Sequence, residues 1–257
     1  MQWSKDRWGF ATRMAAWHLL FSMFVAMFAA ILVFKGWYAA PYDRVLGVSA
    51  VIVIVVVVDV VCGPLLNFLL SNPQKTRTAL MVDWSMIAVI QVAALAYGMH
   101  SLWEARPVML VFEVDRFVVV TANEVDKNTL KNANSLYRDL PFMGAKIAAV
   151  RKAKDSDEMM RSLDMSLGGI EPSARPDWWI PYENAKIEVR EKAKSLQGLI
   201  AKDPIAKEKI QLHVNYSGQG FDSLLYLPLT SNRSKEWIAI LANDSLLPIG
   251  YAPIDGF

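Results

Sequence analysis

Three long apolar runs dominate the first hundred residues, at about 14–35, 45–70 and 79–99. Each is close to or above the ~20 residues that an α-helix needs to cross a ~30 Å hydrocarbon layer. They predict three membrane spans and make the lipid bilayer the first partner of the chain. Lys5, Arg7 and Arg13 precede the first run, as they would in a signal peptide. Its length and the two spans after it predict a retained helix instead. Beyond residue 104 the pattern changes. Val108–Val114 and Phe117–Thr121 are β-rich, with Asp115-Arg116 as a turn or a bend between them. Ala145–Val150 and Leu224–Leu229 read as strands, and Trp237–Ala242 with Pro248–Ala252 as a hairpin across "NDSL". Ser156–Leu167 has helical spacing, with Met159, Leu163 and Leu167 on one face, and Gly168-Gly169 stops it. Glu183–Ile200 reads as one helix with Ile187, Ala193, Leu196 and Ile200 inward, and Pro204–His213 as another. The expected fold is three transmembrane α-helices (residues 1–104) followed by an α+β extracytoplasmic domain with a mainly antiparallel sheet (residues 105–257).

Charge sharpens this division. Of 27 Lys and Arg, seven lie in residues 1–105, and of 25 Asp and Glu, five do. The remainder of the chain is therefore neutral by count, which argues against a nucleic-acid partner. Lys5, Arg7 and Arg13 in the N-terminal tail, with Lys75 and Arg77 between the second and third runs, lie on one side of the membrane. Only Lys35 and Arg44 lie on the other. The excess of basic residues marks the cytoplasmic side. The expected orientation is a cytoplasmic N-terminus and a C-terminal domain outside. Trp3, Trp8, Trp37, Tyr38 and Tyr42 sit where interfacial aromatic residues are expected.

Polar residues inside the apolar runs are costly and tend to face other helices. "VVVVDVVCGPLLN" carries Asp59, Gly63 and Asn67 at i, i+4 and i+8, a single helical stripe. Asp83, Ile87 and Gln91 have the same spacing in the third run. Folding the two runs back through Ser71–Thr78 brings Asp59 level with Gln91 and Asn67 level with Asp83. His18 reaches the layer of Asn67 and Asp83. Gly63 would allow close backbone approach, and Pro64 would free the carbonyl of Val60. Two readings follow: the stripe holds the bundle together, or it docks a fourth helix from outside.

A search for catalytic chemistry yields little. "HVNYSGQGFDS" gathers His213, Ser217, Asp222 and Ser223, but proximity in sequence does not make a triad; a glycine-bearing turn is the simpler reading. Gly218 and Gly220 lack the third glycine of a phosphate loop. The one cysteine, Cys62, excludes an internal disulfide, and His18, His100 and His213 lack metal-ligand spacing. No enzyme activity, cofactor or metal is expected. Arg106, at the membrane exit, and Asp115-Arg116 are possible partner contacts. "DWWIPY" has two readings: Trp178 and Trp179 pack as core, or they form an exposed aromatic patch for a partner.

"DVVCGPLLN", the stretch from Asp83 to Val120 with its Arg106-Pro107 and "FEVDRF", and "LLYLPL" near the end resemble the type IV pilin accessory proteins of the TfpX/TfpZ type. The resemblance covers most of the chain and is most specific over Gln91–Val120. It implies a multi-pass inner-membrane protein with a periplasmic domain. It also implies a chaperone-like role for one major pilin, supporting pilin stability, pilus assembly and twitching motility. It brings no catalytic or ligand residues with it. A membrane-anchored periplasmic sensor and a membrane-bound hydrolase are the competing classes. The first lacks a cytoplasmic output domain and the second lacks a polar constellation at the membrane face.

Overall fold

The structure is a computed structural model that describes residues 5–202, 204–214 and 220–257. The chain forms two compact units, one holding the spans and the other comprising residues 44–46 and 105–257. Among the described residues, three helices are long and apolar enough to cross a membrane: Lys5–Trp37, Val48–Leu70 and Arg77–Glu104. The first ends in a π-helical stretch at Leu32–Trp37, and the second carries one at Val58–Cys62, just ahead of Pro64. Apolar side chains such as Phe21, Phe24, Phe28, Val53, Ile54, Val89 and Val92 point outward from this unit. A lipid-facing surface requires that arrangement, because hydrocarbon solvates them as well as a protein core would.

The small residues Ala11, Ser22, Ala26 and Ala29 of the first span are buried. Close helix packing in lipid uses such residues. At one end, Trp37 and Trp103 meet edge to face with centroids 5.3 Å apart. Beside them, the Tyr38 hydroxyl donates to the Leu102 carbonyl at 2.9 Å.

The second unit is an α+β domain built on one mixed sheet. Its strands are β1 (Pro107–Glu113), β2 (Arg116–Thr121), β3 (Lys146–Val150), β4 (Trp179–Ile180), β5 (Lys194–Ser195), β6 (Leu224–Thr230), β7 (Trp237–Ala242) and β8 (Pro248–Ala252). They run in the order β4-β3-β1-β2-β6-β7-β8, with β5 also paired to β6. Pairing is mostly antiparallel, as expected, but β1 with β3 and β2 with β6 are parallel. The β2–β6 contact is short, Phe117 with Leu229 and Val118 with Thr230. β5 takes Leu225 and Tyr226 further back along β6.

The β1–β2 hairpin closes over Val114-Asp115, with Val114 in the left-handed region at φ 59°. The β7–β8 hairpin forms as its pattern predicts. Burial is almost continuous along β1 and β7, so both faces of the sheet are covered. One core cluster gathers Met109, Val111, Val120, Ala148, Tyr137 and Trp179. The other gathers Leu196, Ile210, Leu224, Ile238 and Ile240.

Two sequence expectations need correction. Glu183–Ile200 is not one helix. It divides into a 3₁₀ turn at Tyr182–Ala185, a helix at Lys186–Lys192, strand β5, and a helix from Leu196 to Lys202. Ala193 turns to extended backbone at ψ 135°, and Lys194 and Ser195 pair with β6. Sheet pairing overrides a local helical preference worth only tenths of a kcal/mol per residue. Val189 and Leu196 are buried, whereas Ile187 is exposed.

The second correction concerns the helix Ser156–Leu167. It forms as expected, capped by Asp155, whose carboxylate accepts from the Glu158 N–H at 2.7 Å. Its apolar residues Met159, Met160, Leu163 and Leu167 are exposed, however, and Ser162 is the buried one. Polar contacts hold it. Arg151 pairs with Glu158 at 2.8 Å, and Arg175 donates to Ser162 Oγ at 2.5 Å.

Candidate functional site

The polar residues of the spans form one connected seam. Gln91 Nε2 donates to the Asp59 carbonyl at 2.9 Å and to Asp59 Oδ1 at 3.2 Å. A carbonyl oxygen can only accept, so the orientation of the Gln91 amide is fixed and its Oε1 is an acceptor. His18 Nε2 stands 2.6 Å from that Oε1 and therefore donates. The other ring nitrogen, Nδ1, is left to accept from Asn67 Nδ2 at 3.1 Å. Asn67 Oδ1 in turn accepts from Ser71 Oγ at 2.8 Å. The seam is thus a directed chain from Ser71 through Asn67, His18 and Gln91 to Asp59, and it ties all three spans together.

Backbone geometry explains why it forms there. In an α-helix the Asp59 carbonyl would be served by the Gly63 N–H. In the π register of Val58–Cys62 each donor shifts by one residue, and the donor for Asp59 becomes Pro64, which has no N–H. Gln91 Nε2 fills that vacancy. In that register Pro64 leaves the carbonyl of Asp59 without a backbone donor. Gly63 is needed for side-chain room, since a Cβ there would lie 2.0 Å from Gln91 Nε2. Close packing of backbones is not its main role. A comparable contact lies at Gly98, where a Cβ would lie 2.8 Å from Val55 Cγ2.

The expected pairing of Asp59 with Gln91 is present, and His18 and Asn67 share a layer. Asp83 does not join them. It pairs with Lys75 of the loop at 2.5 Å, and Lys75 also donates to the Leu70 carbonyl at 3.0 Å. Ser71 and Trp84, which sequence spacing did not single out, complete that end: Trp84 Nε1 reaches Ser71 Oγ at 3.4 Å. Ser71 is the fourth residue after Asn67, so the i, i+4 rule that linked Asp59 to Asn67 also extends to it.

In the C-terminal unit the named residues have different fates. Arg106 is buried, and its Nε and Nη2 donate to the Pro141 carbonyl at 3.4 and 3.3 Å. Asp115 and Arg116 form an ion pair at 2.8 Å on the hairpin, and the Arg116 guanidinium lies 4.8 Å from the ring centre of Phe257. Trp178 and Trp179 are buried, which corrects the exposed-patch alternative. Trp179 Nε1 donates to the Ser173 carbonyl at 2.7 Å, and Tyr137 packs against its ring edge to face. The guanidinium groups of Arg151 and Arg175 both lie over the Trp178 ring, each 4.4 Å from its centre. Burial pulls Arg175 below the usual arginine range. The hydrogen bond from Arg151, backed by the Lys154 N–H, holds the Glu158 carboxyl down at about 2.

An open groove of about 790 Å³ runs over β2, lined among others by Glu113, Arg116, Glu124, Glu171 and Lys235. Burial raises the Glu113 carboxyl above the usual range, against a hydrogen bond from Ser173. Of the His213, Ser217, Asp222 and Ser223 group, the His213 side chain and Ser217 lie outside the described residues. Asp222 and Ser223 form a 3₁₀ turn ahead of β6.

Known proteins resemble this chain along most of its length. Residues 6–47 match the family model for the fimbrial assembly protein FimB. A fimbrial assembly protein of Dichelobacter nodosus serogroup I is 34% identical over 239 residues, covering 93% of each chain. Its serogroup E1 counterpart is 33% identical over the same length and coverage. A protein of serogroups C1 and C2 is 38% identical over 130 residues, 51% of this chain and 99% of its own. No solved structure matches.

Proposed function

Starting from the premise that the chain belongs to the fimbrial assembly protein family, we propose that it is an inner-membrane, chaperone-like accessory protein of pilus biogenesis that binds a type IV major pilin. The observation that carries this reading is the reach of the similarity, which extends through the spans and the C-terminal domain alike. The N-terminus is cytoplasmic and the domain periplasmic, on the distribution of Lys and Arg. A pilin with a membrane helix and an outer head offers two contacts to a protein with spans and an outer domain. Two weak contacts on one body gain from effective concentration, which gives a hold that is firm yet releasable. The role is one of assembly rather than catalysis. The polar seam locks the three spans into a single body, so that they present a fixed surface to the pilin helix.

Deletion tests this reading. Loss of the protein is expected to lower surface pili and pilin level while pilin transcription stays constant. Crosslinking in native membranes should recover the pilin. Normal pili and unchanged pilin levels in the deletion strain would overturn it.

A further inference from the structure

The helix Ser156–Leu167 turns its polar face to the domain and its apolar face to solvent. Side-chain contacts fix that orientation. Arg151 holds Glu158 through Nη1 and Nη2 at 2.9 and 2.8 Å, and Arg175 Nη2 donates to Ser162 Oγ at 2.5 Å. Rolling the helix over to bury its apolar face would break all of them. Met159, Met160, Leu163 and Leu167 are each more than half exposed. At 3.6 residues per turn they fall within an arc of ~100°, a stripe of the kind that one helix offers to another. A contiguous set of large apolar side chains on a soluble surface marks an interaction site. Methionine suits that role, because its unbranched side chain adapts to the shape of a partner.

Charge selects the occupant. Asp157 and Asp164 stand two turns apart along one edge of the stripe, ~40–60° beyond Met160. Both are exposed, and among the described residues neither is in an ion pair. Arg161, the single base of the helix, lies further round, away from the stripe. An acidic edge repels anionic headgroups, so a phospholipid surface does not suit it. Two copies packed with these helices antiparallel would set the acidic edges against each other, which is unfavourable. The complement is a helix with apolar side chains at i, i+3 and i+4 spacing and with Lys or Arg about two turns apart along the facing edge. We propose that the Met159–Leu167 stripe docks such a basic-edged amphipathic helix from a different protein. The inference does not depend on that protein being a pilin.

The test uses the full chain in native membranes, with a photoreactive amino acid in place of Leu167, which is 89% exposed. The same group in place of Ile187, 77% exposed elsewhere in the domain, is the comparison. The crosslinked segment is identified by mass spectrometry. The expected result is a protein segment with the stated apolar and basic spacing, captured several-fold more at 167 than at 187. Leu163→Gln, and separately Asp157→Asn with Asp164→Asn, should each lower that yield several-fold. Neither should move the thermal midpoint of the full chain, because the altered side chains are exposed. Crosslinks confined to lipid or to a second copy would overturn the proposal, as would equal capture at both positions. So would a captured segment without basic residues, or a yield indifferent to the loss of both acids. A large fall in thermal midpoint with Leu163→Gln would overturn it too, by making the stripe part of the core. Capture of a protein other than a pilin supports the inference and leaves the pilin reading to the deletion test.

Discussion

His18 and Gln91 stand 73 positions apart, on the first and third spans, and their side chains meet at 2.6 Å between Nε2 and Oε1. That contact decides the proton on the histidine. Gln91 has already committed its amide hydrogens to Asp59, so His18 donates through Nε2 and accepts through Nδ1. The bonds of the seam have one direction, and each depends on the orientation of the one before it. Interhelical hydrogen bonds in membranes are worth ~0.6–2 kcal/mol apiece. A chain of them that joins three helices sets register as well as adding stability.

Gly63 is the position where this chain is most easily broken. Gly63→Ala places a methyl group 2.0 Å from Gln91 Nε2 and must displace the amide. The expected cost is ~1–3 kcal/mol, as for overpacking elsewhere, read as a lower thermal midpoint of the full chain in detergent. Adding Gln91→Ala should recover part of the loss, because the obstructing amide is gone. A double variant no more stable than Gly63→Ala alone would show that the glycine serves some other purpose.

Trp178 and Trp179 test the core of the domain. Each is buried, and Trp178 carries two guanidinium groups over its ring. Truncating a buried tryptophan costs ~3–5 kcal/mol. Trp178→Ser carries an added penalty, since Arg151 and Arg175 would both lose the ring they lie over. The full chain is expected to lose several degrees of thermal midpoint with either substitution and to become sensitive to limited proteolysis within the domain. Unchanged melting would place both rings at a surface instead.

Glu113 gives the domain a pH dependence of definite sign. Burial raises its folded pKa above the unfolded value of 4.5. The folded state therefore holds the proton more tightly than the unfolded state does. Stability is greatest below the unfolded value and falls as pH rises through the window up to the folded pKa. Glu113→Gln should raise the thermal midpoint at pH 7 and change it little at pH 4. Glu158 has the opposite sign, because its folded pKa of about 2 makes its contribution present above 4.5 and lost as pH falls below that. A Glu113→Gln variant destabilised at pH 7 would mean that its carboxylate, through Ser173 or Arg116, outweighs its burial.

Much of this was legible from spacing alone. A stripe at i, i+4 and i+8 on two antiparallel helices needs only the loop midpoint to align Asp59 with Gln91. The β7–β8 hairpin needs only its turn residues. The partner of Asp83 was not legible, because helical spacing does not show a long, flexible side chain such as Lys75 reaching back from the loop. The π stretch at Val58–Cys62 was invisible, since nothing in a run of valines marks a one-residue change of register. The helix Ser156–Leu167 was right as a helix and gave no sign of its orientation. Its amphipathic pattern points the apolar face inward, whereas Arg151 and Arg175 bind the polar face. β5 was missed because a two-residue strand is specified by its partner in β6 and not by its own sequence.

The proposed orientation rests on five basic residues in the N-terminal tail and the second loop against two in the first loop. A reporter active only in the periplasm should function when fused after Phe257 and fail when fused after Lys75. The reverse pattern would overturn the proposed orientation and, with it, the proposed contact with a pilin head.

Asp59 and Gln91 are expected to be unequal partners. Asp59→Leu removes Oδ1, yet Gln91 Nε2 still has the carbonyl of residue 59, 2.9 Å away, to satisfy it. Gln91→Leu leaves more behind: the Asp59 carboxylate, a carbonyl that Pro64 cannot serve, and the His18 N–H. Gln91→Leu should therefore lower stability and cellular level more than Asp59→Leu. The single Asp59→Leu cost should stay near the ~0.6–2 kcal/mol of one interhelical bond. The Asp59→Leu, Gln91→Leu protein should be more stable than Gln91→Leu alone, because the buried carboxylate is gone. If the seam serves only to hold the bundle, that double variant should also support pili at close to the normal level. A double variant that inserts correctly, accumulates normally and yet makes no pili would assign the seam to docking the pilin helix rather than to packing.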